Sequence, residues 1–195
     1  KVNVRIDTAL VGAVTLAPID VEIPPRSVSV TDVASRVPVG TPFSWRLSIR
    51  GSGDSQDGSI EGISASALIA QAGIGLGVAA DSGSPFASSS WYSLSPDLLG
   101  GATREIAIFN ASDKRVTWRV QAFAALPDSK VQRGTLAPGG LSRQTLTSSG
   151  VTQVVADGLV TISEASQGPR GLILSGGLPV CPSPLVGGTS GGPRC

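Results

Sequence analysis

Apolar and polar residues alternate with a period of two along several stretches of this chain. Val2-Asn3-Val4-Arg5-Ile6, Ser44-Trp45-Arg46-Leu47-Ser48-Ile49-Arg50 and Val116-Thr117-Trp118-Arg119-Val120-Gln121 each carry apolar side chains on one face and polar ones on the other. That spacing is the signature of a strand with one wet face, and no comparable 3.6-residue stripe marks a helix. Between these runs stand Pro24-Pro25, Gly51-Ser52-Gly53, Asp57-Gly58, Asn110-Ala111-Ser112-Asp113 and Pro138-Gly139-Gly140, all turn-forming groups. Short strands punctuated in this way predict antiparallel β-sandwich architecture.

The order of parts repeats. Lys1-Val2-Asn3-Val4-Arg5-Ile6 aligns with Arg115-Val116-Thr117-Trp118-Arg119-Val120, keeping three apolar positions and the Arg. One residue of slip later, Ile23-Pro24-Pro25-Arg26-Ser27-Val28-Ser29 aligns with Leu136-Ala137-Pro138-Gly139-Gly140-Leu141-Ser142, with Val33 opposite Leu146. Further on, Leu47-Ser48-Ile49 runs parallel to Val160-Thr161-Ile162, and Ile63 to Ile69 to Gly171 to Leu174. The second copy has a leading strand, Arg104-Glu105-Ile106-Ala107-Ile108-Phe109, and a hairpin turn at Asn110 to Lys114, ahead of the point where the first copy begins.

A chain of 195 residues accommodates two units of ordinary domain size. The fold expected is therefore all-β, with two tandem immunoglobulin-like antiparallel β-sandwich domains, residues 1–86 and 87–180, the first lacking its leading strand. A Gly/Pro-rich tail, 181–195, follows, and the Ser-rich stretch Asp81 to Ser90 reads as the linker. A sandwich short of an edge strand exposes unpaired backbone groups that proteins normally cover. The expected partner is the upstream part of the same precursor, on the same polypeptide or as a cleaved fragment.

The alternating strand with Val-x-x-Arg-Val, the Pro-Gly-Gly turn leading into Leu-x-Ser, and the terminal strand ending near Ser175-Gly176-Gly177 resemble an actinobacterial family of uncharacterised extracytoplasmic proteins. That family is built from tandem immunoglobulin-like repeats and is often encoded beside envelope glycosyltransferases. The resemblance covers most of both units and implies a membrane-anchored precursor with a role in the cell envelope, where another envelope membrane protein is the alternative partner. It supplies no catalytic residues. The sequence departs from the pattern where Pro25-Arg26-Ser27 replaces Pro-Gly-Gly, and where the cysteine-bracketed tail has no counterpart.

Composition removes several function classes. Charged residues make up only 15%, the net charge is +1 and the basic residues are scattered, so the footprint needed for a phosphate backbone is missing and no nucleic acid is expected. Without histidine there is no Ser-His-Asp or Cys-His arrangement and no His-containing metal site. Glu22, Glu61, Glu105 and Glu164 stand singly, and reading them as solvated charges on outward faces outweighs reading them as a glycosidase pair. Asp54-Ser55-Gln56-Asp57-Gly58 falls short of a calcium loop, and Gly73-Ile74-Gly75-Leu76-Gly77 falls short of a phosphate loop. A non-enzymatic chain without metal or cofactor is expected.

Cys181 and Cys195 bracket the tail and are placed to close a disulfide, which persists only in an oxidising compartment; this favours an extracytoplasmic location, secreted or membrane-anchored. The uncharged run Ile63 to Ala80 is rich in Ser and Gly and poor in bulk, so it reads as strand rather than as a membrane span. Trp45 and Trp118 lie on alternating strands and are expected in sandwich cores. Trp91 and Tyr92 follow the Ser-rich linker and are the candidates for a ligand or interdomain contact; an exposed row of them with a Phe would bind cell-wall glycan. Asn110-Ala111-Ser112 matches a glycosylation sequon, but in a turn Asn is expected for its own sake.

Overall fold

A computed structural model describes residues 2–10, 14–39, 41, 43–50, 67–71, 77–81, 86–95, 103–123, 131–146, 150–168, 171–180 and 183–184. The fold is all-β with antiparallel sheets; one turn of 3-10 helix, Ala34–Arg36, interrupts the strands, and there is no α-helix among the described residues. Two compact units divide the chain, Lys1–Ile63 and Ser64–Cys195, against the expected spans of 1–86 and 87–180.

The first unit holds β1 (Val2–Leu10), β2 (Val14–Thr15), β3 (Ile19–Ile23) and β4 (Phe43–Arg50). β1 is central, with β4 along one side and β2 and β3 sharing the other. Alternation collects Val4, Ile6, Thr8 and Leu10 of β1 on one face, where they are buried. In register beside them stand Ile19, Val21 and Ile23 of β3 and Phe43, Trp45 and Leu47 of β4, all only half-buried. The opposite face carries Asn3, Arg5, Asp7, Asp20, Glu22 and Arg46. Arg5 Nε donates to Asp7 Oδ1 at 2.7 Å, and this hydrogen bond raises the Arg5 guanidinium above its ordinary pKa.

The second unit contains β5 (Ala67–Gln71), β6 (Gly77–Asp81), β7 (Phe86–Ser95), β8 (Thr103–Asn110), β9 (Val116–Phe123), β10 (Val131–Leu136), β11 (Leu141–Leu146), β12 (Gly150–Gly168), β13 (Gly171–Gly176), β14 (Leu178–Val180) and β15 (Ser183–Pro184). β5 and β6 pair with each other, inside the run weighed above as a membrane span. β12 serves two layers. Its first part pairs with β9 on one side and β7 on the other, giving the order β10-β9-β12-β7-β14. After a register shift between Val155 and Val160 its second part pairs with β8 and β13, and β11 closes on β8. Trp91, Trp118, Val120, Leu136 and Val154 of the first layer meet Ile106, Ile108, Leu146 and Ile162 of the second in one sandwich-like core.

Two local expectations are corrected. The turn at Asn110 to Lys114 does not close a hairpin, because β8 and β9 enter different layers. Each strand has one apolar face, and an arch stacks these faces across the core, whereas a hairpin would set them side by side. The stretch Phe86–Ser90 is not a linker but the first half of β7, with Ala87 and Ser88 buried. Serine is tolerated there because Ser88 Oγ donates to the main-chain oxygens of Ser90 and Val180 and accepts from Ser90 N, partners that composition does not reveal.

The repeat is reproduced in hydrogen-bonding register over its first part. Val2 opposes Ile23 as Val116 opposes Leu136, and Ile6 opposes Ile19 as Val120 opposes Gln132. The following turns match as well. Pro138 and Gly139 form the bend closed by Gly140 N to Ala137 O at 2.9 Å, with Gly139 at φ 67°. Pro25 and Arg26 form its counterpart, with Arg26 at φ 56° and Ser27 Oγ bonded to Pro24 O at 2.7 Å. Beyond this point the sequence alignment shifts: Leu47 opposes Ile6 as Val154 opposes Val120. Leu47–Ile49 therefore corresponds to Val154–Ala156 and not to Val160–Ile162.

Candidate functional site

Buried polar side chains form a patch in the core of the second unit. Ser93 on β7, Arg104 on β8, and Thr152, Glu164 and Ser166 on β12 are all buried. Register places Ser93 opposite Thr152 and Arg104 opposite Ser166. Arg104 Nε donates to Glu164 Oε1 at 2.8 Å, and Ser93 Oγ donates to Glu164 Oε2. A serine hydroxyl on a carboxylate is a pairing that nucleophilic catalysis uses. Here both carboxylate oxygens are committed and the side chain is 1% exposed, so a substrate has no approach. The carboxylate instead ties β7 of one layer to β8 and β12 of the other. The expectation that Glu164 is a solvated charge on an outward strand face is therefore corrected: Arg104 and Glu164 share the inward parity of Ile106, Ile108 and Ile162, where a charge is held as one half of a buried pair.

Asn110 is the second polar centre. Its Nδ2 donates to the main-chain oxygens of Lys114 (2.7 Å), Ala137 (2.9 Å) and Leu136 (3.2 Å), and its Oδ1 accepts from Ser112 N and Ser112 Oγ. Its own N–H donates to Gly140 O, and Gly139 N donates to its carbonyl. A fully buried side chain with this set of partners is a clamp on the arch and the β10–β11 turn, with no face free for a glycan.

Trp91 and Tyr92 diverge. Trp91 is buried in the core, its indole N–H donating to Val160 O at 2.9 Å and Ser88 O at 3.1 Å. A Cβ at Gly177 would lie 3.0 Å from the Trp91 ring, so the strand crossing packs against the indole. Tyr92 points outward, 37% exposed, its hydroxyl bonded to Gln153 Nε2 at 3.0 Å. Alternation along a strand separates the two, and Trp91 cannot join an exposed stacking row. On the outer face of the same layer, Tyr92 is joined by Leu178 and Gln153 in one register row and by Phe123, Val151 and Leu94 in the next.

In the first unit, the stretch that aligns with β11, Ser27 to Val33, has no strand paired to it among the described residues. In the second unit β11 pairs with β8 over Leu141–Leu146. Among the described residues nothing pairs with the main chain of Val28–Thr31, and Val28 and Val30 are each 92% exposed. Two β-branched residues alternating in open solvent mark a strand-forming segment without its neighbour.

A depression of about 270 Å³ on the polar face of β1 and β3 is lined by Asn3, Asp20, Val21 and Glu22. Asp20 and Glu22 stand side by side on one strand, and Asp20 faces Arg5 across the sheet, so the two carboxylates do not flank a substrate from opposite sides. Among the described residues no group of three His, Cys, Asp or Glu gathers to hold a metal, and no helix is long and apolar enough to cross a membrane. Cys181, Cys195, the Asp54–Gly58 stretch and residues 73–76 lie outside the described residues.

No family model matches the chain, and no curated protein does. Among solved structures it is similar to the crystal structure of Thermotoga maritima 1070, at 13% identity and a TM-score of 0.39, over 48% of this chain and 95% of that one.

Proposed function

We propose that the chain is a non-catalytic, extracytoplasmic interaction module of the cell envelope, an accessory subunit that docks on another polypeptide through the open strand segment of its first unit. The observation that carries this reading is the Val28–Thr31 stretch, unpaired among the described residues, in a unit whose flanking apolar residues, Trp45 and Leu47 among them, are only half-buried. A sheet hydrophobic on one face is stabilised by a second layer over that face, and strand addition supplies both the layer and the missing hydrogen bonds. The envelope location is supported by the resemblance and by the expected Cys181–Cys195 bridge. The absence of histidine from the sequence and the closed Ser93–Glu164–Arg104 cluster favour binding over catalysis.

Gentle-detergent purification of the native protein, beside a Val28→Asp/Val30→Asp variant, tests this. A polypeptide that travels in stoichiometric amount with the native chain and is lost from the variant supports the reading. A native chain that purifies alone sinks it.

A second reading, a module for cell-wall glycan, is favoured by one observation: Tyr92 and Phe123 share an outer sheet face with Gln121 and Gln153. Aromatic rings and amides on a flat face suit sugar stacking and hydroxyl recognition. Polysaccharide pull-down that weakens on Tyr92→Ala or Phe123→Ala favours it; pull-down indifferent to both changes excludes that face.

A further inference from the structure

We propose that Ser27–Val33 accepts, antiparallel, a β-strand of a partner polypeptide whose side chains follow the β8 pattern: apolar residues at alternate positions, then an asparagine that caps the main-chain oxygens of Ile23 and Pro24. This rests on the interaction reading above and gives it a chemistry.

Three equivalences between the units define the donor. First, the β1–β3 pairing has the register of the β9–β10 pairing, so the positions of Val2–Ile6 and Ile19–Ile23 have known counterparts. Second, the turn after β3 repeats the left-handed third position of the turn after β10, with Pro25 and Arg26 standing for Pro138 and Gly139, so Ser27–Val33 aligns in sequence with Gly140–Leu146. Third, in the second unit that position is paired with β8: Leu141 opposes Phe109, Ser142 opposes Ile108, and Gln144 opposes Ile106.

Transferred to the first unit, Val28 takes the place of Leu141, Ser29 of Ser142 and Thr31 of Gln144. The donor residues opposite Ser29 and Thr31 then point inward, as Ile106 and Ile108 do at 0% exposure in the second unit. There they meet the apolar face of β1, β3 and β4, whose outer strands are half-covered. The donor residues opposite Val28 and Val30 lie on the outer surface, where Phe109 and Ala107 sit in β8, and shield both valines.

The asparagine follows from the caps. Asn110 Nδ2 reaches Leu136 O and Ala137 O, and the counterparts of these oxygens are those of Ile23 and Pro24. Among the described residues Pro24 O accepts one hydrogen bond, from Ser27 Oγ, whereas Ala137 O accepts both Gly140 N and the Asn110 carboxamide. A carbonyl oxygen has a second lone pair for the donor amide.

The test uses the whole 195-residue chain and a fluorescent synthetic peptide of residues 103–110, Thr-Arg-Glu-Ile-Ala-Ile-Phe-Asn. Saturable one-site binding is expected, with slowed amide exchange at Val28–Thr31. The same peptide with Asn110→Ala binds about tenfold more weakly, as expected for the loss of a buried hydrogen-bonding group, and a scrambled peptide fails to bind.

No binding, protection confined to 141–146, or equal affinity for the alanine peptide overturns the proposal. Full protection of Val28–Thr31 in the native, unsupplemented protein also overturns it, since the strand is then supplied in cis. If the peptide fails while a stoichiometric partner still co-purifies, the interaction reading stands and only this docking chemistry falls.

Discussion

Arg26 stands at φ 56° where Gly139, its counterpart in the second unit, stands at φ 67°. Both follow a proline and both occupy the third position of a four-residue turn that requires a left-handed backbone. Glycine takes that conformation freely, while a residue with a Cβ is strained there by roughly 1–2 kcal/mol. Arg26→Gly is therefore expected to stabilise the first unit by about 1 kcal/mol after the greater entropy loss of glycine is subtracted. Gly139→Ala is expected to destabilise the second unit by a similar amount. Urea unfolding checks both: the midpoints move in opposite directions at constant slope. A lowered midpoint for Arg26→Gly would show that the arginine side chain makes a contribution larger than the strain.

Glu164 holds Ser93 and Arg104 across the two layers of the second unit, with the two ionised side chains 4% and 1% exposed. Removing the carboxylate leaves a buried guanidinium without its counter-charge, which costs about 3–5 kcal/mol, while replacing the pair by apolar residues of similar volume is often nearly neutral. Glu164→Ala is thus expected to lower the thermal midpoint far more than Arg104→Leu combined with Glu164→Leu. A double variant as unstable as the single one would mean that the polar patch, and not its charge balance, holds the layers in place.

Neighbouring aromatics are expected to respond in opposite ways. Trp91→Ala opens a cavity in the core and abandons the Val160 and Ser88 carbonyls, at a cost of about 3–5 kcal/mol. Tyr92→Ala removes an outward ring and one hydrogen bond to Gln153, at a cost of about 1 kcal/mol. Denaturant titration followed by far-UV circular dichroism separates the two, and equal losses would contradict the inward and outward placement.

Much of the strand inventory was legible in alternation. Val2–Ile6, Ser44–Arg50, Arg104–Phe109 and Val116–Gln121 all lie within β1, β4, β8 and β9. The internal alignment even anticipated the shared register and the Pro25/Pro138 turn. Period-two patterns do not state which sheet a strand joins, so the arch at Asn110 read as a hairpin. Nor do they reveal that β12 runs through both layers, which misplaced the match for Leu47–Ile49. The polar cluster stayed hidden for a different reason. Ser93, Arg104 and Glu164 are separated by 11 and 60 residues in the chain, and only the fold joins them. Trp91 was set apart by the serines before it, of which Ser88 is buried with its hydroxyl directed at Ser90 O and at Val180 O, the latter 92 residues away.

Asn110 provides the sharpest contrast between motif and structure. Its carboxamide nitrogen faces three main-chain oxygens, an arrangement that needs a donor. Asn110→Asp keeps the size and replaces that donor with a charged acceptor pointed at carbonyls, so the loss should exceed that of Asn110→Ala. Alanine forfeits hydrogen bonds worth about 1 kcal/mol each and leaves buried oxygens unsatisfied, for roughly 3 kcal/mol in all; aspartate adds the burial of a charge without a counter-charge. Calorimetric midpoints are expected in the order native, Asn110→Ala, Asn110→Asp, with the aspartate variant recovering toward the alanine one as the pH falls and the carboxyl takes up a proton. An aspartate variant as stable as the native chain at neutral pH would show that the residue is held there by its backbone bonds to Gly139 and Gly140 alone, and that the side chain is not the clamp on the arch.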